Sequence, residues 1–360
     1  MGRYQVASRR AVRVNSATQH DLPLAGVKVI DLTRLLPGPL ATRQLAELGA
    51  EVLKIEGPAD QGQDDGTRQM GLTAADRRTG EPALTFRELN RGKLLLRLDL
   101  RDPAGVAELL DLARGADVLI EGFRPGVMDK LGLGWAVLHA ANPRLVVCAI
   151  TGYGQHGPWA HRAGHDINYI AMAGVLEQIA TQGGELAVPN FQIGDLLGGT
   201  QAAVSGVLAG VLGAQRTGRG RFVDISMSHE VLRHHVLAAI TLKSTGHTPV
   251  AGRDLLSGGA PCYGVYRTRD GRHLAVGALE LKFWRALCQA IGRPQWVEQH
   301  WSLGLAVGGP ASLALRDELA AVFAGQPLAH WAAVFETVDA CVTPVLRLDE
   351  TLEHPVFLHQ

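Results

Sequence analysis

The 360-residue chain is 46% hydrophobic and 19% charged, with 35 basic side chains against 35 acidic ones, so its formal net charge is zero. That balance gives no electrostatic reason to expect a nucleic acid or an anionic membrane as partner, and no uninterrupted apolar run looks long enough to span a bilayer. Cys148, Cys262, Cys288 and Cys341 stand without CxxC or CxxxC spacing, which argues against structural zinc or a disulfide framework and for a reducing compartment.

The length exceeds one average domain, so two are expected. Residues 1–21 carry Arg3, Arg9, Arg10 and Arg13 and no acid before Asp21; they read as a disordered basic tail. An Arg-rich, acid-poor leader is also the composition of an organelle transit peptide. The expected location is therefore cytoplasmic, or mitochondrial if the tail is such a peptide.

From Val27 the pattern sharpens. VKVIDL reads as a buried strand, LLPGP as a turn, ATRQLAELGA as a helix stopped by Gly49, and EVLKIE as a second strand. Strand, helix, strand predicts a right-handed parallel crossover. No GxGxxG follows the first strand, so the dinucleotide fingerprint is absent. Residues 57–88 are polar and aperiodic and read as a surface excursion. LLLRLDL (94–100) is a strand, and DPAGVAELLDLARGA is a helix with Asp102 as N-cap and Pro103 at its start. DVLIEGF is a strand, RPGVMDKLGLGW a short helix, and PRLVVCAITGYG another strand. The expected fold class is α/β: a doubly wound, Rossmann-like large domain, with ligands at the carboxyl ends of its strands. Those ends are Thr33–Gly38, Glu56–Pro58, Glu121–Gly126 and Thr151–Gly157.

The stretch Gly164–Gly199 then sets His165, in GHDINY, upstream of Asp195, in NFQIGDLLGG. Each alone has an ordinary explanation: a packed core histidine, and an aspartate capping a helix. GGTQAAVSGVLAGVLGAQ reads as a small-residue helix and TGRGRFVDISM as a return to strand. Beyond Ser228 come His229, His234 and His235, a hairpin turning at RDG, and helices to Phe323. His234 and His235 face different sides of a helix, so no metal site is expected. The domains read as 22–228 (large), 229–334 (small, α+β) and 335–360 completing the large one.

Taken in order, LAGVKVIDLTRLLPGPLATRQLAELGAEVLKIE, LNRGK, LIEGFRPGVMDKLGLG, TGYGQHGPW, AGHDINYIAMAGVL, GDLLGG, RTGRGRFVDISM and SGGAPCYGVY resemble the family III CoA-transferases (CaiB/BaiF). Within that group the likeness is to the α-methylacyl-CoA racemases, through AGHDINY, GD and the VGALE that contains Glu280. The resemblance implies an interlocked homodimer and an acyl-CoA substrate, with no cofactor, since CoA is part of the substrate, and no metal. It implies His165 and Asp195 as catalytic bases on opposite faces of the α-carbon, with Glu280 supporting His165. It places Leu35, Leu36, Gly122, Phe123 and Val127 along CoA, and Lys130 at a phosphate where relatives carry Arg.

The chemistry suits those residue types, because epimerising a thioester α-carbon needs a base, a donor on the other face and stabilisation of the enolate oxygen. Asp195, at the start of a Gly198–Gln215 helix, would have its carboxylate favoured by the dipole, with nearby backbone amides for the enolate. Three departures stand out: Gly57 where relatives often have Arg, a long 59–88 excursion, and a chain ending at HPVFLHQ where relatives continue. The expected function is 2-methylacyl-CoA racemisation. The alternative is a CoA-transferase with Asp195 as nucleophile, and a third reading is CoA binding without catalysis.

Overall fold

The computed structural model describes residues 21–59, 62–181 and 183–358; except for Asp21, the basic tail expected over 1–21 lies outside them. The chain opens with β1 (Lys28–Asp31), α1 (Pro37–Glu47) and β2 (Glu51–Glu56). The PGP expected as a turn instead begins α1, with Pro37 in its first turn, where the missing N–H has no helical partner to lose. Gly49, at φ +104°, ends it in the left-handed region.

Next come α2 (Ala74–Thr79), α3 (Leu84–Leu89), β3 (Leu94–Arg97), α4 (Pro103–Arg114), β4 (Val118–Glu121), α5 (Val127–Lys130), α6 (Trp135–Ala141) and β5 (Val146–Thr151). Two of these helices fall inside the stretch read as an aperiodic excursion. The Thr73 hydroxyl and Asp76 carboxylate cap α2 reciprocally, a pairing too short for periodicity to reveal. Asp102 caps α4 as expected, its Oδ1 accepting from the Ala104 N–H at 3.0 Å.

After β5 follow α7 (Asp166–Met172), α8 (Val175–Gln178), a π-helical segment (Gly194–Gln201) continuing as α9 (Ala202–Thr217), β6 (Phe222–Ser226), α10 (Met227–His234) and α11 (Val236–Thr245). The helix expected from Gly198 therefore begins at Gly194. Gly194–Thr217 is long and apolar enough to cross a membrane by length and composition alone, although Asp195, Thr200 and Gln201 interrupt its apolar run. It is instead a packed element, with Ala203, Val204, Val207, Val211 and Ala214 buried.

The fold is mixed α/β, built on a six-stranded parallel sheet of order β3-β2-β1-β4-β5-β6. β4 and β5 are buried throughout, as continuous apolar runs require when helices cover both faces. On one face Val29, Val52, Val118, Ile120 and Val146 pack with Leu45 of α1 and Val207 of α9. On the other, Ile30, Ile55, Leu119 and Val147 meet Leu109 of α4 and Leu138 of α6. The chain runs outward from β1 to β3, then returns to β4 on the other side of β1, so the loops after β1 and β4 diverge and open a crevice.

The chain divides into two compact units, one running to Val175 with Pro189–Val236, the other comprising Leu176–Val188 and the described residues from Leu237 onward. The second contains an antiparallel sheet of β7 (Tyr263–Arg267), β8 (His273–Gly277) and β9 (Val342–Pro344), with α12 (Leu281–Ala290), α13 (Pro310–Ala324), α14 (Leu328–Glu336) and α15 (Leu348–Glu353). Its core gathers Tyr266, Trp284, Phe323 and Trp331. The described residues of 335–360, a stretch expected to complete the large domain, group here instead. β9 pairs with β8, and the Arg272 guanidinium forks onto Glu350 at 2.7 and 3.0 Å.

Candidate active site

The loop leaving β1 is shaped by buried charge. Asp31 Oδ1 accepts from the Thr33 N–H (2.8 Å) and hydroxyl, and Oδ2 accepts from the Thr42 hydroxyl (2.7 Å) and Lys93 Nζ (3.0 Å). Burial raises the Asp31 carboxyl, but Lys93, Lys54 and the two hydroxyls outweigh it and hold the group well below the usual carboxylate range. Burial likewise brings the Lys93 ammonium down to about 8, against the pull of Asp31. Four residues after Asp31, Leu35 has φ +66°, a left-handed conformation unusual for a branched side chain. Leu36 then precedes α1 as its N-cap.

Asp195 is the second residue of the π-helical segment, whose wider turn re-aims side chains and recurs at functional sites. Its N–H donates to Asp166 Oδ1 at 3.0 Å, and the Leu196 N–H is taken by the Gln192 carbonyl. Two of the amides offered as enolate donors are thus already engaged. Burial pushes the Asp195 carboxyl up to about 6; the charge of Asp166 adds to the rise and His165 opposes it. His165 is the exposed N-cap of α7. Its N–H donates to Asn168 Oδ1 at 3.0 Å, which fixes the backbone from which the imidazole projects.

Close packing brings the two loops together. The Tyr169 hydroxyl donates to the Gly164 carbonyl at 2.5 Å, and its ring stands edge-on to Tyr153. A Cβ at Gly164 would come within 2.8 Å of the Tyr169 ring, and one at Gly194 within 3.0 Å of Asp166 Oδ1. His165, Asp195 and Tyr169 line one cavity of about 340 Å³ with Leu35, Gly122 and Phe123. The pair singled out in the sequence therefore shares one space at the carboxyl ends of the sheet strands.

A second cavity, of about 250 Å³, is walled by Leu32, Ile55, Leu98, Phe123, Val127 and Leu131, with Arg34 and Arg101 at its polar side. Arg34 and Phe123 line both cavities. At Gly57 the position of a Cβ is already filled by the Gln63 side chain. Of the residues expected along CoA, Leu35, Gly122, Phe123 and Val127 line these cavities, whereas Leu36 and Lys130 line neither. Lys130 sits exposed at the end of α5. Glu280 belongs to the second unit, exposed at the N-cap of α12. In that unit the SGGAP loop contributes Ser257 and Gly258 to a cleft of about 570 Å³, lined also by Tyr263 and Arg316.

Two acidic residues escaped the sequence reading. Asp166 looks there like an acid in a helix's first turn, a common dipole partner; its contact with Asp195 spans 29 residues and leaves no local trace. Glu121 ends an apolar strand and is 4% exposed. Burial pushes its carboxyl up to about 7, although Oε2 accepts from the Phe123 N–H at 2.6 Å. The only sequence signal was an acid closing the run VLIE.

The family model for CoA-transferase family III matches residues 24–360. The chain is 35% identical over 334 residues to human alpha-methylacyl-CoA racemase, covering 92% of this chain and 80% of that protein. It is 34% identical over 342 residues to acetyl-CoA:oxalate CoA-transferase of Acetobacter aceti, covering 92% and 83%. Among solved structures it resembles a CAIB/BAIF family protein from Brucella suis, with TM-score 0.76, 26% identity, and 93% and 87% of the two chains covered.

Proposed function

We propose that this chain, which belongs to CoA-transferase family III, is a racemase that inverts the α-carbon of a 2-methyl-branched acyl-CoA by two-base proton transfer. The observation that carries the reading is one cavity lined by both His165 and Asp195, with the Asp195 carboxyl raised to about 6. A carboxyl poised there exchanges protons readily near neutrality, as either acid or base. One group removes the C2 proton, the thioester passes through an enolate, and the other returns a proton to the opposite face. Glu280 is kept as a proposed support for the catalytic histidine on the family resemblance alone. Similarity to a racemase supports this assignment.

CoA is read as lying along the strand ends, its apolar and aromatic portions in the cleft of Phe123 and Val127. Arg34, shared by both cavities, and Lys130 are the cations offered to its phosphates. The strand order, reversing between β1 and β4, supports describing the first unit as Rossmann-like. We read the functional protein as a homodimer acting without metal or redox cofactor in the cytoplasm, or in mitochondria if the basic tail is a transit peptide.

The test is incubation of a (2R)-2-methylacyl-CoA with the protein in deuterated water. Deuterium appears at C2 and both epimers accumulate; no exchange with any branched acyl-CoA defeats the proposal. A second reading, transfer of CoA between carboxylic acids, is favoured by the 34% identity to a CoA-transferase. There Asp195 attacks the thioester carbonyl, expels CoA thiolate and forms a mixed anhydride. His165→Ala separates the two. Interconversion of the two epimers is lost under the first reading, whereas under the second transfer survives and hydroxylamine traps an adduct at Asp195.

A further inference from the structure

We propose that Asp65, from the stretch that reads as a surface excursion, is a positioning residue for the reaction: it holds Leu35 in its left-handed conformation and so fixes one wall of the cavity shared by His165 and Asp195. Its carboxylate is fully buried. Oδ1 accepts from the Leu35 N–H at 3.2 Å, and from the Thr67 N–H and hydroxyl at 3.0 and 2.8 Å. Oδ2 lies 3.3 Å from Lys54 Nζ, which is equally buried and donates to the Thr33 carbonyl at 2.8 Å. One carboxylate thus holds the β1 loop at two places: directly at Leu35, and at Thr33 through Lys54.

Asp65 is itself anchored. Its N–H donates to Glu56 Oε1 at 3.0 Å, and Glu56 is gripped by Arg68, whose guanidinium stacks 3.8 Å over the Phe86 ring of α3. The segment between β2 and β3 therefore ends as a clamp on the loop after β1. A leucine at φ +66° is strained and persists only where its surroundings impose it. The imposed shape matters because Thr33, Leu35 and Pro37 line the cavity. Pro37 also touches the element bearing Asp195: its carbonyl accepts from the Thr200 hydroxyl at 2.8 Å.

The inference rests on the proposed acyl-CoA chemistry for its catalytic readout and on the loop alone for its structural one. The structural readout is hydrogen exchange of the peptide spanning 33–40. Asp65→Ala speeds its exchange, whereas Asp65→Asn, which keeps an oxygen for the Leu35 N–H, speeds it less. Unchanged exchange in both variants overturns the proposal. The functional readout is a double-mutant cycle with Leu35→Gly, since glycine needs no clamp at positive φ. Asp65→Ala is expected to lower kcat/KM for α-deuterium incorporation tenfold or more in the wild-type background, but threefold or less beside Leu35→Gly. Equal losses in both backgrounds mean Asp65 only stabilises the fold, and overturn the proposal. If Asp65→Ala does not fold, the same cycle is run with Asp65→Asn and read by the same criterion. If the wild type exchanges no α-proton, the racemase reading fails by itself. The cycle is then read in the dissociation constant for CoA, and the exchange of 33–40 still decides whether Asp65 holds the loop.

Discussion

Asp195 sits between two pulls: burial and Asp166 disfavour its charge, while His165 favours it. With the carboxyl raised to about 6, it is mostly ionised at pH 7 and mostly protonated at pH 5. In the direction where Asp195 is the base, kcat/KM for exchange is expected to rise with pH through about 6 and then level. Asp195→Asn removes that limb and slows exchange about a hundredfold or more; an unchanged profile in the variant assigns the limb elsewhere. Glu121 gives a cleaner stability test, being nearly inaccessible. Its folded pKa, about 7, lies above its ordinary value, so the folded state holds the proton over a window where the unfolded chain has released it. Stability from this group is therefore present in acid and is lost as pH rises towards 7. Glu121→Gln keeps an oxygen for the Phe123 N–H and removes the ionisation. It is expected to raise the stability at pH 8 by roughly 3 kcal/mol at most, read as a higher melting temperature, and to change it little at pH 5. A gain equal at both values would attribute the effect to packing.

At the scale of elements, what was legible depended on range. β4, β5, α4 and the turn at Gly49 follow from apolar runs, Asp102, Pro103 and a glycine stop, all of which act within a few residues. The π-helical start at Gly194 was not legible, because its glycines suit an ordinary helix equally well; what widens that turn lies outside it. A Cβ at Gly198 would meet the Met227 carbonyl oxygen at 2.5 Å, and one at Gly199 the Pro37 Cβ at 2.6 Å. Both obstacles are rigid, one being backbone and the other a proline ring. Gly198→Ala is therefore expected to cost about 1–3 kcal/mol by overpacking, measured as a lower denaturation midpoint at unchanged slope. Because Asp195 lies three residues upstream in the same segment, exchange activity should fall with it. A variant as stable as the parent would mean α10 can retreat from this segment.

For the whole molecule, the sequence pointed to two units and singled out His165 and Asp195, which line one cavity, but it misplaced the C-terminal stretch, because a three-residue strand such as β9 carries no period by which to assign its sheet. Nor does a sequence say which surfaces are left over. α11 is such a surface: VLAAITLKST has no buried residue, and Val236, Leu237 and Ile240 are each more than half exposed. Apolar side chains concentrated on so short a helix are unusual for a monomer's surface. Propensity alone does not hold a helix of ten residues in water, so α11 needs a partner surface to persist. The proposed homodimer supplies one, since a second copy brings the same helix and the same deficit. Light scattering after size exclusion is expected to give twice the chain mass. Replacing both Leu237 and Ile240 by Asp is expected to halve that mass and to reduce the helical signal, because α11 then loses the cover that sustains it. If the doubly substituted protein keeps the larger mass, the dimer is held elsewhere. If the parent already runs at the mass of a single chain, α11 is stabilised within its own molecule and the homodimer is refuted.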